Sequence, residues 1–450
     1  MNSFSTVNPA TAEVLKTYHH LSWELVSGKV EEAHHDFEFW RRQTYNERSQ
    51  ILLRLAEDLR LHKNELAQMM NQEMGKLLSE GRQEVEKSAM TCEFYANEAA
   101  KMLQNQKVPE SPYQQAEVSF QPLGVVFSIM PWNFPLWQTI RFAAPALMAG
   151  NIVLLKHADL TAGTAELISK IFDNLTTPHK LLRNIQVDHE TAEKVIAHPL
   201  VRGVTFTGSS RGGREVATAA AKNLKKIVLE LGGSDAYLIF PDADLEKAAQ
   251  TCAQVRLVNC GQSCVAGKRF IVHEKVAKDF VRYFVEEMKK IELAPLASAK
   301  FQKQIIQQVE MLKQWGGKVL LGGSAPQGVG AYYPATVVLF EENHPELHKE
   351  EIFGPVASVI VAKSEQAAIS LANSSPYGLG GGIFTSDITQ GKQLLEKELD
   401  AGFVVLNDHV KSDPRIPFGG VKDSGYGREL SHFGIMEFVN VKTVAVGGPG

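Results

Sequence analysis

The sequence predicts an α/β protein of more than one domain, and three observations support that reading. At 450 residues the chain exceeds the roughly 250–300 residues at which a single hydrophobic core stops growing. Residues 47–104 repeat apolar side chains at helical spacing, with no proline between Glu47 and Lys107. From Gly124 onward, short β-branched runs alternate with helical stretches, the pattern of largely parallel sheets crossed by helices.

The helical region comes first. Ile51, Leu52, Leu55, Leu59, Leu66, Met69 and Met70 recur at helical spacing, and the segment is expected to pack as a helical layer rather than to bind anything. Strands are expected at Val125–Ile129, Ile152–Leu155, Val204–Phe206, Ala236–Ile239, Phe270–His273, Ala357–Val361 and Phe403–Leu406, with another at Ile227–Leu231. The strand and turn at Leu229–Gly233 mark the expected domain switch. Near the C-terminus the valine-rich run Thr443–Val446 would form an exposed edge, so pairing with a second subunit is a sensible use of it.

Composition narrows the function classes. A net charge of −4 with 22% charged residues offers no basic footprint, so neither nucleic acid nor an anionic membrane is an expected partner. The polar start through His20 lacks the apolar core of a secretory signal, and no apolar run reaches the roughly 18 residues of a membrane span. A cytoplasmic chain is expected. The four cysteines, Cys92, Cys252, Cys260 and Cys264, are too few for a disulfide framework, and none forms a Cys-x-x-Cys pair. His19-His20 and His34-His35 have no cluster of ligands beside them, so no metal is expected.

The chemistry centres on Cys264. A thiol becomes a nucleophile as the thiolate, in polarising surroundings or beside a base. Gly261, Gln262 and Ser263 before it let backbone approach a substrate and offer amide donors. Glu230, inside an apolar strand, would be costly to bury without a purpose. Each residue alone admits a plainer role: a buried small hydrophobe for Cys264, a turn cap for Asn133, and a helix N-cap for the Thr207-Gly208-Ser209 turn. Cys260 reads as a small side chain lining the site, with a regulatory disulfide left open.

Taken together these motifs resemble the aldehyde dehydrogenase superfamily. The landmarks are Pro131-Trp132-Asn133-Phe134-Pro135, Lys156, Phe206-Thr207-Gly208-Ser209, Leu229-Glu230-Leu231-Gly232-Gly233, Gly261-Gln262-Ser263-Cys264, Glu351-Ile352-Phe353-Gly354-Pro355, Asn407, Pro417-Phe418-Gly419-Gly420 and Ser424-Gly425-Tyr426-Gly427-Arg428. The likeness covers essentially the whole chain. It is nearest to the bacterial succinate-semialdehyde dehydrogenase branch, through Pro135–Arg141, Leu231–Asp235, Ala266–Phe270 and Arg428–Gly434.

The resemblance implies a Rossmann-type NAD(P)-binding domain over residues 1–116 and 131–229, a catalytic domain over 230–410, and a β-flap over 117–130 and 430–450 that joins subunits into a homodimer or homotetramer. It makes Cys264 the nucleophile, Asn133 an oxyanion donor with the Cys264 amide, and Glu230 the base that hydrolyses a thioester. NAD or NADP, with no metal, would be held by Pro131, Trp132, Lys156, Asp159, Gly208, Ser209, Leu231, Glu351 and Phe353. Asp159 would meet the adenosine ribose, where a carboxylate accepts from hydroxyls and repels a 2′-phosphate, although its short reach leaves room for NADP. The small aldehyde substrate would carry a carboxylate, succinate semialdehyde being the first choice, bound by Gln138, Arg141, Ser412 and Arg415 through the guanidinium fork above all. A salt bridge from Arg141 to a protein carboxylate is the competing use of that side chain.

The chain departs from the family at several places, the first of which bears on the site. A second arginine that some relatives carry six residues before the nucleophile is Val258 here, with Arg256 two residues earlier. The stretch Leu293–Leu296 is shortened, and it is expected on a loop away from the thiol. Three other functions stay open on sequence: a dehydrogenase that passes the thioester to coenzyme A, a catalytically silent homologue, and a cysteine hydrolase. Glu230 favours water over coenzyme A, and no papain-like motif surrounds Cys264.

Overall fold

A computed structural model describes residues 3–175 and 177–448. Met1, Asn2, Thr176, Pro449 and Gly450, which fall inside the expected domain segments, lie outside the described residues.

The helical region divides into Tyr45–Leu61, Lys63–Met74 and Leu78–Met102, preceded by Trp23–Trp40. Tyr45–Leu61 opens on a capping box in which Thr44 Oγ1 accepts from the Glu47 amide at 3.2 Å while the Glu47 carboxylate accepts from the Thr44 amide at 2.7 Å. Leu52, Leu55, Leu59, Leu66 and Met70 are fully buried in the larger apolar core, as their spacing predicts.

Two sheets organise the rest. The first orders its strands Gly425–Tyr426, Lys226–Glu230, Val201–Thr207, Val125–Met130, Ile152–His157 and Leu182–Asn184. All are parallel except Gly425–Tyr426, which returns antiparallel along Lys226–Glu230 and pairs Gly425 with Glu230. The second sheet runs Lys318–Leu321, Thr336–Phe340, Val356–Ala362, Arg269–His273, Ala236–Ile239, Gly380–Phe384 and Phe403–Leu406, parallel but for its first strand. Strands with β-branched runs stand where the pattern puts them. Gly380–Phe384 escapes the pattern because three glycines open it, and they are required where Tyr237 and the Ala236 carbonyl press against Gly381 and Gly382.

The expected flap segment 117–130 divides in two. Gln115–Pro122 pairs antiparallel with Val439–Val446 in a separate three-stranded sheet, whereas Val125–Met130 is an inner strand of the first sheet. The break falls at Gly124, whose φ of +140° turns the chain from one sheet into the other.

The sheets face each other end to end. Pro131, Gly208 and Leu231 directly follow the C-terminal ends of first-sheet strands; the turns 231–235, 262–268 and 351–355 lead into the N-terminal ends of second-sheet strands. Ligands of open α/β sheets bind at such C-terminal strand ends. Among the described residues no helix is long and apolar enough to cross a membrane, and no group of three or more His, Cys, Asp or Glu is placed to hold a metal ion.

Candidate active site

Cys264 occupies the seam between the sheets and lines two cavities. The turn before it is strained: Asn259, Cys260 and Gly261 take φ values of +51°, +55° and +72° in succession. A Cβ on Gly261 would stand 2.3 Å from the Gly354 carbonyl oxygen, so only glycine fits. Neighbouring groups hold the turn in place. Arg256, fully buried, donates to the carbonyls of Gly261 at 2.7 Å and Gly267 at 3.0 Å; Glu80 accepts from the Asn259 amide at 2.7 Å. Lys268 donates to the carbonyls of Ser263 at 2.9 Å and of Cys264 itself. Arg256 is therefore a scaffold for the thiol's turn and contributes no cation to either cavity.

Burial pushes the Cys264 thiol up to about 11, with Lys268 and Arg141 pulling the other way. Cys260 points elsewhere than expected. It lines neither cavity, donates its Sγ–H to the Ala294 carbonyl at 3.2 Å, and packs in the apolar cluster of Leu296 and Ile305. The shortened stretch Leu293–Leu296 accordingly is not remote from the thiol. It lies beneath the active turn, where the next amide, Ala297 N–H, donates to Gln262 Oε1 at 2.9 Å.

Asn133 is held at three atoms. Its carbonyl accepts from Lys76 Nζ at 2.9 Å and Asn259 Nδ2 at 2.8 Å, and its Oδ1 accepts from Gln138 Nε2 at 3.2 Å. Its Nδ2 donates one N–H to the Gln262 carbonyl at 3.0 Å. A carboxamide has two such hydrogens, so one stays free for an oxyanion. Lys76 forms a buried ion pair with Glu84, and Glu84 Oε1 accepts from the amides of Leu136 at 3.0 Å and Trp137 at 2.9 Å at the start of helix Pro135–Met148.

Glu230 closes the strand Lys226–Glu230 and is buried, yet it forms no wall of either cavity. Among the described residues neither carboxylate oxygen has a hydrogen-bond partner. Burial and the nearby Glu429 raise its pKa well above the ordinary carboxylate range, against the pull of Arg141 and Arg428.

On one side of Cys264 a cavity of about 260 Å³ is walled by Pro131, Trp132, Asn133, Gly208, Ser209, Leu231, Glu351 and Phe353 among others. Trp132 meets Phe353 edge-on at 5.8 Å between ring centroids, and Glu351 Oε1 accepts from the Gly233 amide at 3.0 Å. Ser209 is shared with a second, larger cleft of about 700 Å³ that Lys156 and Arg211 also line. It caps helix Ser210–Lys222, its Oγ accepting from the Gly212 amide at 3.2 Å, and the helix start offers N–H groups to an anion. Of the expected cofactor residues, Asp159 alone is turned away. Its carboxylate is engaged by His20 Nε2 at 3.2 Å and Gln186 Nε2 at 3.0 Å, and it lines neither cavity.

On the other side a cavity of about 350 Å³ runs from Cys264 past Trp137, Gln138, Val258 and Phe418 to Arg141, Lys87 and Ser412. Arg141 lies 4.8 Å over the Phe418 ring and is ion-paired with Glu429, so the competing use of this side chain is realised even as it lines the cavity. Arg415 is not brought in. It is exposed and clamps Asp413 through Nε and Nη2, both at 2.7 Å. The helical layer, expected to bind nothing, supplies Glu80, Gln83, Glu84 and Lys87 to this wall. Apolar spacing identifies the face of a helix that meets the core and carries no information about what the remaining face meets. Lys87 and the Lys76–Glu84 pair therefore carry no mark in that spacing; the signal open to sequence is a polar stripe Glu80, Glu84, Lys87 at helical spacing.

The description "Aldehyde dehydrogenase family" belongs to a family model that matches residues 1–444. A probable NADP(+) succinate-semialdehyde dehydrogenase of Synechocystis is 39% identical, the match covering 98% of this chain and 99% of that protein. An NAD(P)+ succinate semialdehyde dehydrogenase of Escherichia coli is also 39% identical, over 98% of this chain and 97% of the relative. Among solved structures, succinic semialdehyde dehydrogenase of Streptococcus pyogenes in complex with NADP+ aligns with a TM-score of 0.95 at 34% identity, covering 99% of this chain and 100% of that one.

Replacing Lys76 with Met should leave Glu84 buried without its counter-ion and destabilise the protein by about 3–5 kcal/mol. A chemical-denaturation midpoint that does not move would show that the pair is dispensable. With the thiol raised by burial, iodoacetamide labelling of Cys264 in cofactor-free protein should quicken roughly tenfold per pH unit between pH 7 and 9, because the thiolate fraction still grows there. A plateau below pH 8 would mean a far more acidic thiol.

Proposed function

The chain belongs to the aldehyde dehydrogenase family, and from that premise we propose that it oxidises a small carboxylate-bearing aldehyde, succinate semialdehyde first among them, with NAD+ or NADP+. The observation that supports this reading is the position of Cys264 at the junction of two cavities. One continues into a cleft ending at a helix N-terminus, and the other ends among cations.

The residues fit a dinucleotide. Ser209 joins the two parts of the cleft, the N-terminus of helix Ser210–Lys222 suits the diphosphate, Lys156 suits the adenosine ribose, and Glu351 with Phe353 suits the nicotinamide end beside the thiol. When bound, the nicotinamide supplies the hydride acceptor. With Asp159 held by His20 and Gln186, that carboxylate is not free to oppose a 2′-phosphate, which favours acceptance of either cofactor.

In this reading Cys264 Sγ adds to the aldehyde carbon, and the resulting oxyanion accepts from the free Nδ2–H of Asn133 and from the Cys264 amide. Loss of hydride from that carbon leaves a thioester on Cys264. Glu230 then turns from its buried position toward the thioester and takes a proton from water, whose oxygen adds to the acyl carbon; the C–S bond breaks, Cys264 leaves as the thiolate and the carboxylic product is released. Its raised pKa makes it a strong base once ionised. Retention of Glu230 favours water over coenzyme A as the acceptor, and intact Cys264, Asn133 and Glu230 together speak against a silent homologue. The strand Val439–Val446, edging its sheet with Val441, Val444 and Val446 exposed, is the proposed dimer or tetramer contact, readable as particle mass by sedimentation.

Cys264→Ala should abolish NAD(P)H formation while cofactor still binds; turnover above a few per cent would remove the thiol from the mechanism. Glu230→Gln should give a burst of NAD(P)H followed by slow turnover, and rapid-quench data showing equal loss in both half-reactions would assign Glu230 a structural role. The substrate reading is tested with the unmodified enzyme. Catalytic efficiency for succinate semialdehyde should exceed that for butanal at least tenfold, and equal values would overturn it.

A further inference from the structure

We propose that Lys87, and not Arg141, is the anchor for the substrate's terminal carboxylate, with Ser412 as the neighbouring hydroxyl. The inference rests on the carboxylate-aldehyde reading above and names the residue that would enforce it.

Lys87 projects from helix Leu78–Met102 into the cavity that Cys264 lines. Its ammonium donates to Ser412 Oγ at 2.7 Å and lies 4.1 Å over the Trp137 ring. Among the described residues it has no carboxylate within 4.0 Å, so a half-buried cation has a hydroxyl and an aromatic face as its partners. An ammonium carries three N–H donors, and those beyond the Ser412 bond are free for an anion.

Most of the surrounding charges are already matched in pairs. On Lys87's own helix, Glu84 is neutralised by Lys76, and Glu80 is tied to the Asn259 amide. From helix Pro135–Met148, Arg141 faces the cavity but is paired with Glu429. From the segment 407–415, Asp413 is clamped by Arg415, while Lys411 is bonded to Asp408 at 2.9 Å. Arg415, expected at the substrate, is instead bonded to Asp413, whose charge still acts on Lys87 from a longer range. His409, which also lines the cavity, has its pKa lowered by burial below the ordinary imidazole value. Among the described residues that line this cavity, Lys87 is the cation left without a counter-ion.

This assignment makes recognition of the carboxylate titratable. Burial, with Arg141 adding to it, pushes the ammonium down to about 8, against the opposing effects of Glu84 and Asp413. Below that pH the anchor is charged; above it the charge is lost, as no guanidinium would lose it. His409 is neutral throughout the alkaline range, so it adds no step there.

The experiment measures kcat/KM for succinate semialdehyde and for butanal from pH 7 to 9.5 in the unmodified enzyme, Lys87→Met and Lys87→Arg. The ratio of the two efficiencies cancels titrations common to both aldehydes, those of Cys264 and Glu230 included. The unmodified enzyme should lose its preference for the charged aldehyde as pH rises through about 8. Lys87→Met should lower the ratio at pH 7 by about ten- to a hundredfold, the range for a hydrogen bond to a charged group. Lys87→Arg should retain part of the preference and make it independent of pH. A ratio unchanged in Lys87→Met, or one flat with pH in the unmodified enzyme, overturns the assignment while leaving the substrate reading intact; if Lys87→Met does not fold, the pH profile of the unmodified enzyme decides. No preference for the charged aldehyde at pH 7 in the unmodified enzyme instead overturns the substrate reading, and this inference with it.

Discussion

The ion pair between Lys76 and Glu84, closed off from water, is the constraint on which the geometry of the site depends. Glu84 binds the first amides of helix Pro135–Met148, and Lys76 holds the carbonyl of Asn133 just before that helix. Asn259, from the turn that carries Cys264, donates to the same carbonyl. The segments that precede helices Leu78–Met102 and Pro135–Met148 and the strained turn that carries Cys264 are therefore registered against one peptide oxygen. A buried pair of this kind adds little net stability because of its desolvation, but losing one partner is severe, so it defines one arrangement rather than many.

That registration explains how strain is tolerated. Asn259 and Cys260 adopt left-handed conformations that cost about 1–3 kcal/mol each and persist only where the surroundings over-determine them. The surroundings do so through Glu80, partly exposed, and Arg256, fully buried, charged groups that bond the backbone of the turn. Glu230 is treated differently. Its strand is locked by pairing with Gly425, but among the described residues its carboxylate is left without a hydrogen bond, so the backbone is fixed while the side chain is not.

The cavity that runs from Cys264 to Lys87 shows how much depends on pairing rather than on charge alone. Arg141, Arg415 and Lys411 each meet an acid from the chain itself. A cation already matched by a protein carboxylate draws an incoming anion weakly, and one held only by a hydroxyl and an aromatic ring draws it strongly. The distinction is invisible to residue type.

Much of the protein was legible in the sequence. β-Branched runs placed strands of both sheets, because a parallel strand buried on both faces must be continuously apolar. Motif order identified the family, and Cys264, Asn133, Ser209, Glu351 and Phe353 are gathered around one cleft. Tertiary structure alone decided which side chains find partners across long separations. Arg141 and Glu429, Asp159 and His20, and Lys87 and Ser412 are far apart in the chain and carry no mutual signal in it. Sequence determines which groups exist and which faces must be buried, since hydrophobic periodicity is local. Whether a given charge is neutralised, strained or left waiting for a ligand depends on packing between distant segments, which only the folded chain brings into contact.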